Sequence, residues 1–295
     1  MAVLPSEKAV LVTGASSGIG RATVLELDRR GFQVFAGVRT DQAEAELRAA
    51  SARLQVLRLD IAQQDSIRAV AEKLRQELSE RGLWGLVNNA GIALTGPVEF
   101  LEPHIWREQF GVNFFGHVEL TRQLLPLLRR ARGRIVNISS ISGRISPPYF
   151  GPYTCSKVAL EAFSDVLRVE LRRFGIRVVV VEPGNTQTPI WQKAQKFSED
   201  LLGKFKTELA ALPPEVRTIY ETDFAAMQQA AERMARTGGD VARVVRTICR
   251  ALTAARPRTR YPVGLWVKAA FTLSRIIPDR WRDWLVCRNL GLPWR

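Results

Sequence analysis

An α/β fold, built on one mostly parallel sheet of seven strands with helices on both faces, is the architecture this sequence predicts. Two observations carry the prediction. Short apolar runs alternate with longer stretches of helical spacing. Strands joined by helices need right-handed crossovers, which lay helices over both faces of a parallel sheet. A glycine-rich turn also lies between the first apolar run and the first helical stretch. In doubly wound sheets that position is where a phosphate meets a helix N-terminus.

The first strand is expected over Ala9–Thr13, the second over Gln33–Gly37 and the third over Leu54–Leu59. A fourth starts at Leu86–Asn88, a fifth covers Arg134–Ile138 and a sixth Ile176–Val181. The unbroken apolar character of Val178–Val181 suits a strand buried on both faces. Arg256–Gly264 holds a last short strand. Helical spacing marks Arg21–Arg30, Gln63–Arg81 and Val158–Phe174. From about Pro189 to Gly239 the strand signal vanishes. That stretch reads as an amphipathic helical lid broken at Pro213-Pro214. Asp240 is placed to cap the next helix. Two further helical pieces flank Pro278-Asp279, giving a C-terminal helical extension from about 256 to 295. The whole chain, 1–295, is expected to form a single nucleotide-binding domain.

Composition narrows the function. The balance of 46% hydrophobic and 24% charged residues is that of a globular protein. The short N-terminal apolar run leads straight into the glycine turn, so it reads as a strand rather than a cleavable signal. No apolar stretch is long enough to span a bilayer. Three separated cysteines form no C-x-x-C pair and suit a reducing compartment, so a cytoplasmic location is expected. Two histidines leave little from which to build a metal centre, and no metal is expected. The net charge of +14 is concentrated at one end: twelve basic residues against two acids lie between Arg243 and Arg295. Four of the seven tryptophans fall after Leu265. Aromatics mixed with arginines on amphipathic helices suit the surface of an anionic membrane. The competing reading is a packed extension with a solvated basic face. No nucleic-acid reading motif accompanies the charge, so nucleic acid is not an expected partner.

Two motifs carry chemistry. Thr13-Gly14-Ala15-Ser16-Ser17-Gly18-Ile19-Gly20 follows a strand and opens a helix. Its glycines let the backbone approach a pyrophosphate, and the helix N-terminus offers N–H groups and a positive dipole end. Tyr153-Thr154-Cys155-Ser156-Lys157 places a phenol and an ammonium at i and i+4 on one helix face. An ammonium beside a phenol favours the phenolate, and a phenol so tuned can exchange a proton near neutral pH. Cys155 has no histidine near it in sequence and reads as a small buried filler. His117 reads as packed rather than catalytic.

Together the motifs resemble those of the short-chain dehydrogenase/reductase family, a Rossmann-type fold, over about Ala9 to Thr188. The resemblance consists of Thr13 to Gly20, Asp60, Asn88-Asn89-Ala90-Gly91, Asn113, Ser140, Tyr153, Lys157 and Pro183-Gly184, in the family's order. It implies an oxidoreductase that interconverts an alcohol and a carbonyl by hydride transfer. Tyr153 would be the acid or base, and Lys157 would lower its pKa and hold the nicotinamide ribose. Ser140 would bond the substrate oxygen, with Ser139 on the opposite side of the strand end. Asn113 would hold a water that relays protons to Lys157. Gly14, Ser16, Ser17, Gly18, Ile19 and Gly20 would line the cofactor. So would Arg39, Asp60, Ile61, Asn89, Ala90, Gly91, Pro183, Gly184, Thr186 and Thr188. Asp60 has a plainer reading as a strand-end cap. An acid that binds a ribose 2′-hydroxyl is expected near the end of the second strand, but Val38-Arg39 stands there. A guanidinium suits a 2′-phosphate, so NADP(H) is favoured over NAD(H). The plainer reading of Arg39 is a solvated loop charge.

The tail pattern Arg260-Tyr261-Pro262-Val263-Gly264, followed by Pro278-Asp279-Arg280, resembles the retinol dehydrogenase and 17β-hydroxysteroid dehydrogenase-like branch. That implies an apolar, steroid- or retinoid-like small molecule as substrate. Ser140, Tyr149 and Trp191 are the substrate-contact residues expected from the sequence. Ile92, Leu94, Phe150, Ile190, Phe197, Phe205, Tyr220, Phe224 and Met227 are further apolar candidates, each of which could instead pack the lid. A homodimer or homotetramer is expected through the helices carrying Asn113 and Tyr153. A nucleotide-sensing module without turnover and a reductase of small carbonyls are the competing functions.

Overall fold

Seven strands make one sheet in the order β3-β2-β1-β4-β5-β6-β7. In the computed structural model, which describes residues 7–274 and 276–294, they are β1 (Ala9–Val12), β2 (Gln33–Val38), β3 (Gln55–Arg58), β4 (Gly85–Asn88), β5 (Arg134–Ile138), β6 (Arg177–Pro183) and β7 (Arg260–Val263). Every pairing is parallel, so the sheet is wholly rather than mostly parallel. The residues before Glu7 and the tail charges Arg275 and Arg295 lie outside the described residues. β7 is one of the two edge strands and carries Pro262, a residue an edge tolerates because it owes no N–H to a further neighbour.

The helices are α1 (Gly18–Arg29), α2 (Asp41–Ala50), α3 (Gln64–Glu77), α4 (Pro103–Phe110), α5 (Gly116–Arg130), α6 (Gly151–Glu170), α7 (Pro189–Ala211), α8 (Pro214–Thr237), α9 (Val241–Thr253), α10 (Leu265–Leu273) and α11 (Asp279–Leu290). Strand alternation divides the core in two. Val10 and Val12 of β1 face a layer with Val24 and Leu27 of α1, Leu47 of α2 and Ile248 of α9. Ala9 and Leu11 face the opposite layer, with Ile67 and Leu74 of α3, Leu120 and Leu124 of α5 and Leu167 of α6. Two buried asparagines pin β4 to β5 in register. Asn88 Nδ2 donates to Asn137 Oδ1 at 2.8 Å, and Asn137 Nδ2 donates to Ser164 Oγ of α6 at 2.8 Å.

The lid is helical and breaks at the proline pair. α7 ends at Ala211 and Pro214 opens α8. Asp240 caps α9, its carboxylate accepting from Ala242 N at 2.8 Å. Where sequence reading began a helix at Val158, α6 starts seven residues earlier, at Gly151. The sequence reading singled out neither α2 nor α4, and it expected a helix about Asn113 and His117 without bounds. A five-residue π turn, Gly111–Phe115, joins α4 to α5 and carries Asn113. The chain runs outward from β1 to β3 and then returns to β4. The crevice at the carboxyl ends of β1 and β4 is therefore the topological switch point, where ligands bind in such sheets.

Glycine is obligatory at one point of the crevice. A Cβ at Gly20 would lie 2.2 Å from Gly14 O. Gly20→Ala is expected to destabilise the protein by about 3 kcal/mol, because the clashing atom is backbone. Gly203 lies inside α7 with nothing within 4 Å of a built Cβ. Gly203→Ala is expected to stabilise by about 0.5–1 kcal/mol. Urea unfolding midpoints of the two variants check both signs.

Candidate active site

The glycine turn is held by a threonine. Thr13 Oγ1 accepts from Asn89 N at 3.0 Å and from Ala90 N at 2.9 Å, tying the end of β1 to the chain beyond β4. Asn89 Nδ2 returns a bond to Thr13 O at 2.9 Å. Gly14 and Gly18 have φ of +66° and +53°, the left-handed region that favours glycine. A Cβ at Gly14 would come within 2.8 Å of Ala90 Cα. Ser17 caps α1, yet its side chain makes no capping bond. The turn is thus a bare backbone cradle at a helix N-terminus, a fit for a dinucleotide's phosphates. Gly14, Ser16, Ser17, Gly18, Ile19, Arg39, Asp60, Ile61, Asn89, Ala90, Gly91, Pro183, Gly184, Thr186 and Thr188 all line one cleft. Of the expected cofactor residues, Gly20 alone does not line it; its part is the close packing under the turn. Asp60 lines the cleft and also accepts from Ala62 N at 3.0 Å, as a strand-end cap does.

At the inner end of the cleft stand Ser140, Tyr153 and Lys157, all buried. Lys157 Nζ donates to Ile138 O at 2.9 Å and sits 5.8 Å from the centre of the Tyr153 ring. Burial drives the ammonium down to about 8, opposed by Glu161. Burial raises the Tyr153 phenol, and its hydrogen bond with Ser140 opposes the rise. Desolvation is the larger effect at Tyr153, and Ser140 is one group that favours the phenolate. Ser140 Oγ also accepts from Ser142 N at 3.1 Å, which fixes its rotamer.

Asn113 is bound on three sides. Its Oδ1 accepts from Ile92 N at 2.9 Å, and its Nδ2 donates to Ile92 O at 3.0 Å and Ser156 Oγ at 3.1 Å. One lone pair of Oδ1 remains. A Cβ at Gly91 would lie 3.4 Å from Asn113 Oδ1 and 3.8 Å from Lys157 Nζ, so both atoms face the same small space. His117 is buried, and its Nε2 donates to Ala90 O at 2.9 Å. Burial and Lys157 hold its pKa down at about 3, so it stays neutral. Thr13 and His117, as supports of the Asn89–Gly91 segment, were not foreseen as site residues. The signal for Thr13 was its place before the first glycine. For His117 there was none.

A second cavity, of about 280 Å³, adjoins the catalytic end. Ser140, Ile141, Ile145, Pro147, Phe150 and Trp191 form one side, and Trp266, Ala270, Leu273, Ile277, Leu285 and Val286 of the C-terminal helices form the other. Ser140, Gly184 and Trp191 line both spaces. Gly184 has its own steric reason: a Cβ there would meet Val267 Cγ2 at 2.7 Å, so α10 packs directly on this loop.

A sequence model described as short chain dehydrogenase matches residues 8–199. The chain belongs to the short-chain dehydrogenase family. It is 38% identical over 294 residues to 17-beta-hydroxysteroid dehydrogenase type 6 of Bos taurus, covering 97% of this chain and 90% of that one. It is 39% identical over 276 residues to retinol dehydrogenase 16 of Homo sapiens, covering 92% and 85%. Among solved structures, a short chain dehydrogenase/reductase from Burkholderia phymatum, in complex with NAD, superposes with a TM-score of 0.75 at 25% identity over 99% of both chains. This dehydrogenase thus stands in the retinol and hydroxysteroid branch of its family.

Two sequence expectations fail in this dehydrogenase. Tyr149 lines neither cavity. Its hydroxyl donates to Asp223 of α8 and its ring lies 6.2 Å from Phe224, so it anchors the lid rather than touching substrate. It does so at φ +67°, a strained backbone for a bulky side chain. Cys155 is exposed, not a buried filler, because it lies on the outer face of α6. Leu94, Phe197, Phe205, Tyr220 and Phe224 pack together with Phe100 and Ile105 and hold the lid to the loop after β4. Met227 packs with Tyr149 against α11. Ile92, Phe150, Ile190 and Trp191 do reach a cavity wall.

A buried ammonium is costly when charged. Lys157 is charged in both folded and unfolded chains below pH 8, and neutral in both above about 10.5. The penalty is therefore full below pH 8 and relieved as pH rises to about 10.5. Lys157→Met is expected to be more stable than the parent by about 2 kcal/mol at pH 7, with the gain vanishing by pH 10.5, and to be inactive. Paired urea titrations across that range check the sign.

Proposed function

We propose that this dehydrogenase interconverts an apolar secondary or primary alcohol and its carbonyl, with NADP(H) as partner. The observation that carries the reading is the double position of Ser140. It lines the nucleotide cleft and the apolar cavity together, beside Tyr153. A substrate oxygen at that junction meets both hydroxyls while its hydrocarbon body lies among Trp191, Trp266, Ile277 and Leu285. A bound nicotinamide supplies the hydride chemistry.

The chain's own residues handle the proton. In reduction Tyr153 gives its phenolic proton to the substrate oxygen, and in oxidation it takes one. Ser140 donates a hydrogen bond to the charge that develops on that oxygen. Lys157, fixed on Ile138 O, stabilises the phenolate left behind. Asn113 and Lys157 share the space beside Gly91, which suits a water that returns the proton from solvent. Asn113 otherwise positions Ile92 and Ser156. A steroid- or retinoid-like substrate fits both the cavity lining and the relatives' names.

NADP(H) is favoured by the end of β2. Val38 is apolar, and Arg39 is exposed in the cleft with no acid paired to it among the described residues. Asp41, two residues on, pairs instead with Arg58 at 2.9 Å. We further assign the tail to an anionic membrane surface. Leu265, Trp266, Ile276, Trp281 and Trp294 are exposed large side chains in a strongly basic segment. Among the described residues no helix is long and apolar enough to cross a membrane. Exposed Phe115, Val158, Val166 and Val169, on the π turn and α6, suit the homo-oligomer.

The test is cofactor consumption over steroid ketones, retinal and small carbonyls. NADPH consumption with a bulky apolar carbonyl is expected, falling at least about 100-fold in Tyr153→Phe. Unchanged turnover in that variant contradicts the acid/base assignment. Nucleotide binding without turnover of any carbonyl favours a sensing module. Arg39→Gln is expected to weaken NADPH and leave NADH unchanged. For the tail, sedimentation with vesicles containing phosphatidylserine is expected to fall in the Ile276→Glu, Trp281→Glu double variant. Equal binding by parent and variant removes the tail from the reading.

A further inference from the structure

The lid does more than cover substrate. Its first residues close over the glycine turn. A Cβ at Gly18 would lie 3.3 Å from Thr188 Cβ and Cγ2 and 3.6 Å from Pro189 Cδ. The entry to α7 is therefore within van der Waals reach of the backbone that cradles the phosphates. Four residues on from Pro189, Lys193 lines the same cleft. It is exposed and, among the described residues, forms no ion pair.

The cleft holds two other cations, and neither is placed for the diphosphate. Lys157 is buried at the catalytic end on Ile138 O. Arg39 sits past the end of β2, at the ribose end. Asp60 is the one acid lining the cleft among the described residues. A diphosphate laid on the Gly14–Gly18 backbone would thus meet N–H groups beneath it. Above it would be an unpaired ammonium on the lid.

We infer that Lys193 is a lid-borne clamp for the dinucleotide diphosphate, so that nucleotide binding fixes the start of α7. This rests on the dinucleotide reading given above. The clamp has a consequence for substrate. Trp191, two residues earlier, stacks edge-on with Tyr153 at 5.9 Å and with Phe150 at 6.1 Å, and it lines the apolar cavity. Fixing Lys193 on the phosphates fixes Trp191 against the catalytic phenol. Nucleotide therefore binds first, and substrate binds to a completed wall.

Arg39 and Lys193 read different phosphates, and that makes the clamp testable. Dissociation constants are measured by fluorescence for NADPH, NADH, ADP and adenosine, with the parent, Lys193→Gln and Lys193→Arg. Lys193→Gln is expected to weaken NADPH and NADH equally, by about 10-fold, and ADP similarly, while adenosine is unaffected. Lys193→Arg should restore most of the loss. Thermolysin cleavage within the lid should be slowed by NADH in the parent and much less in Lys193→Gln. Thermal unfolding checks that the exposed substitution leaves the fold intact. Unchanged constants for both dinucleotides in Lys193→Gln overturn the clamp and leave the dinucleotide reading standing. A loss confined to NADPH also overturns it, because Lys193 would then read the 2′-phosphate. A parent that binds neither dinucleotide removes both.

Discussion

Lys157 puts an ammonium in a buried place, and the surrounding structure is arranged to tolerate that. Its helix brings it one turn below Tyr153. The end of β5 offers the Ile138 carbonyl as acceptor. Gly91 leaves room beside it, and the π turn delivers Asn113 to the other side of that room. Even so, the ammonium's pKa falls to about 8. A group that titrates so near neutrality can take part in proton movement, which an ordinary surface lysine cannot. Instability is accepted locally to obtain it.

The same economy of space governs the rest of the crevice. Glycines at 14, 18 and 20 let β1, α1 and the Asn89–Gly91 segment meet at backbone distance. Thr13 and His117 hold that segment by bonds to Asn89 N, Ala90 N and Ala90 O, so it presents a fixed floor. Beyond Ser140 the walls come from remote parts of the chain. A buried ion-pair cluster joins them. Glu182, just before Pro183-Gly184, pairs with Arg144 at 2.7 Å, and Arg144 stacks on Phe271 of α10 at 4.8 Å. Arg260 of β7 binds Asp165 and Glu161 of α6. Burial and Glu161 lift Glu182 to about 7. The tail is thereby fastened to the loop at the nucleotide site, and α11 is fastened to the lid through Tyr149, Met227 and Val286.

What the sequence made legible follows from locality. The first six strands announced themselves because each is a short apolar run bounded by turn residues, and each lies within two residues of its expected limits. The family motifs placed the cleft because glycine spacing and the Tyr-x-x-x-Lys step are local geometry. Asp240 as a cap and the break at Pro213-Pro214 were local too. The apolar cavity was not legible. Its far wall is α10 and α11, whose tryptophans and leucines look the same in sequence whether they line a cavity or face a membrane. Tyr149 was misplaced for a related reason. Its aromatic ring suggested the substrate, but it takes a positive φ and bonds Asp223 of α8. The effect of burial on Tyr153 could not be read from spacing, because desolvation depends on everything packed around the phenol.

The most direct measurement is the titration of Lys157 itself. Lysine labelled with carbon-13 at Cε reports the protonation of each ammonium by NMR, and Lys157→Met identifies the resonance. The account predicts an apparent pKa near 8 in the folded protein, well below the ordinary lysine value of 10.5. A resonance that titrates above 10 would mean an ammonium in contact with water, and would contradict a site organised around a buried lysine.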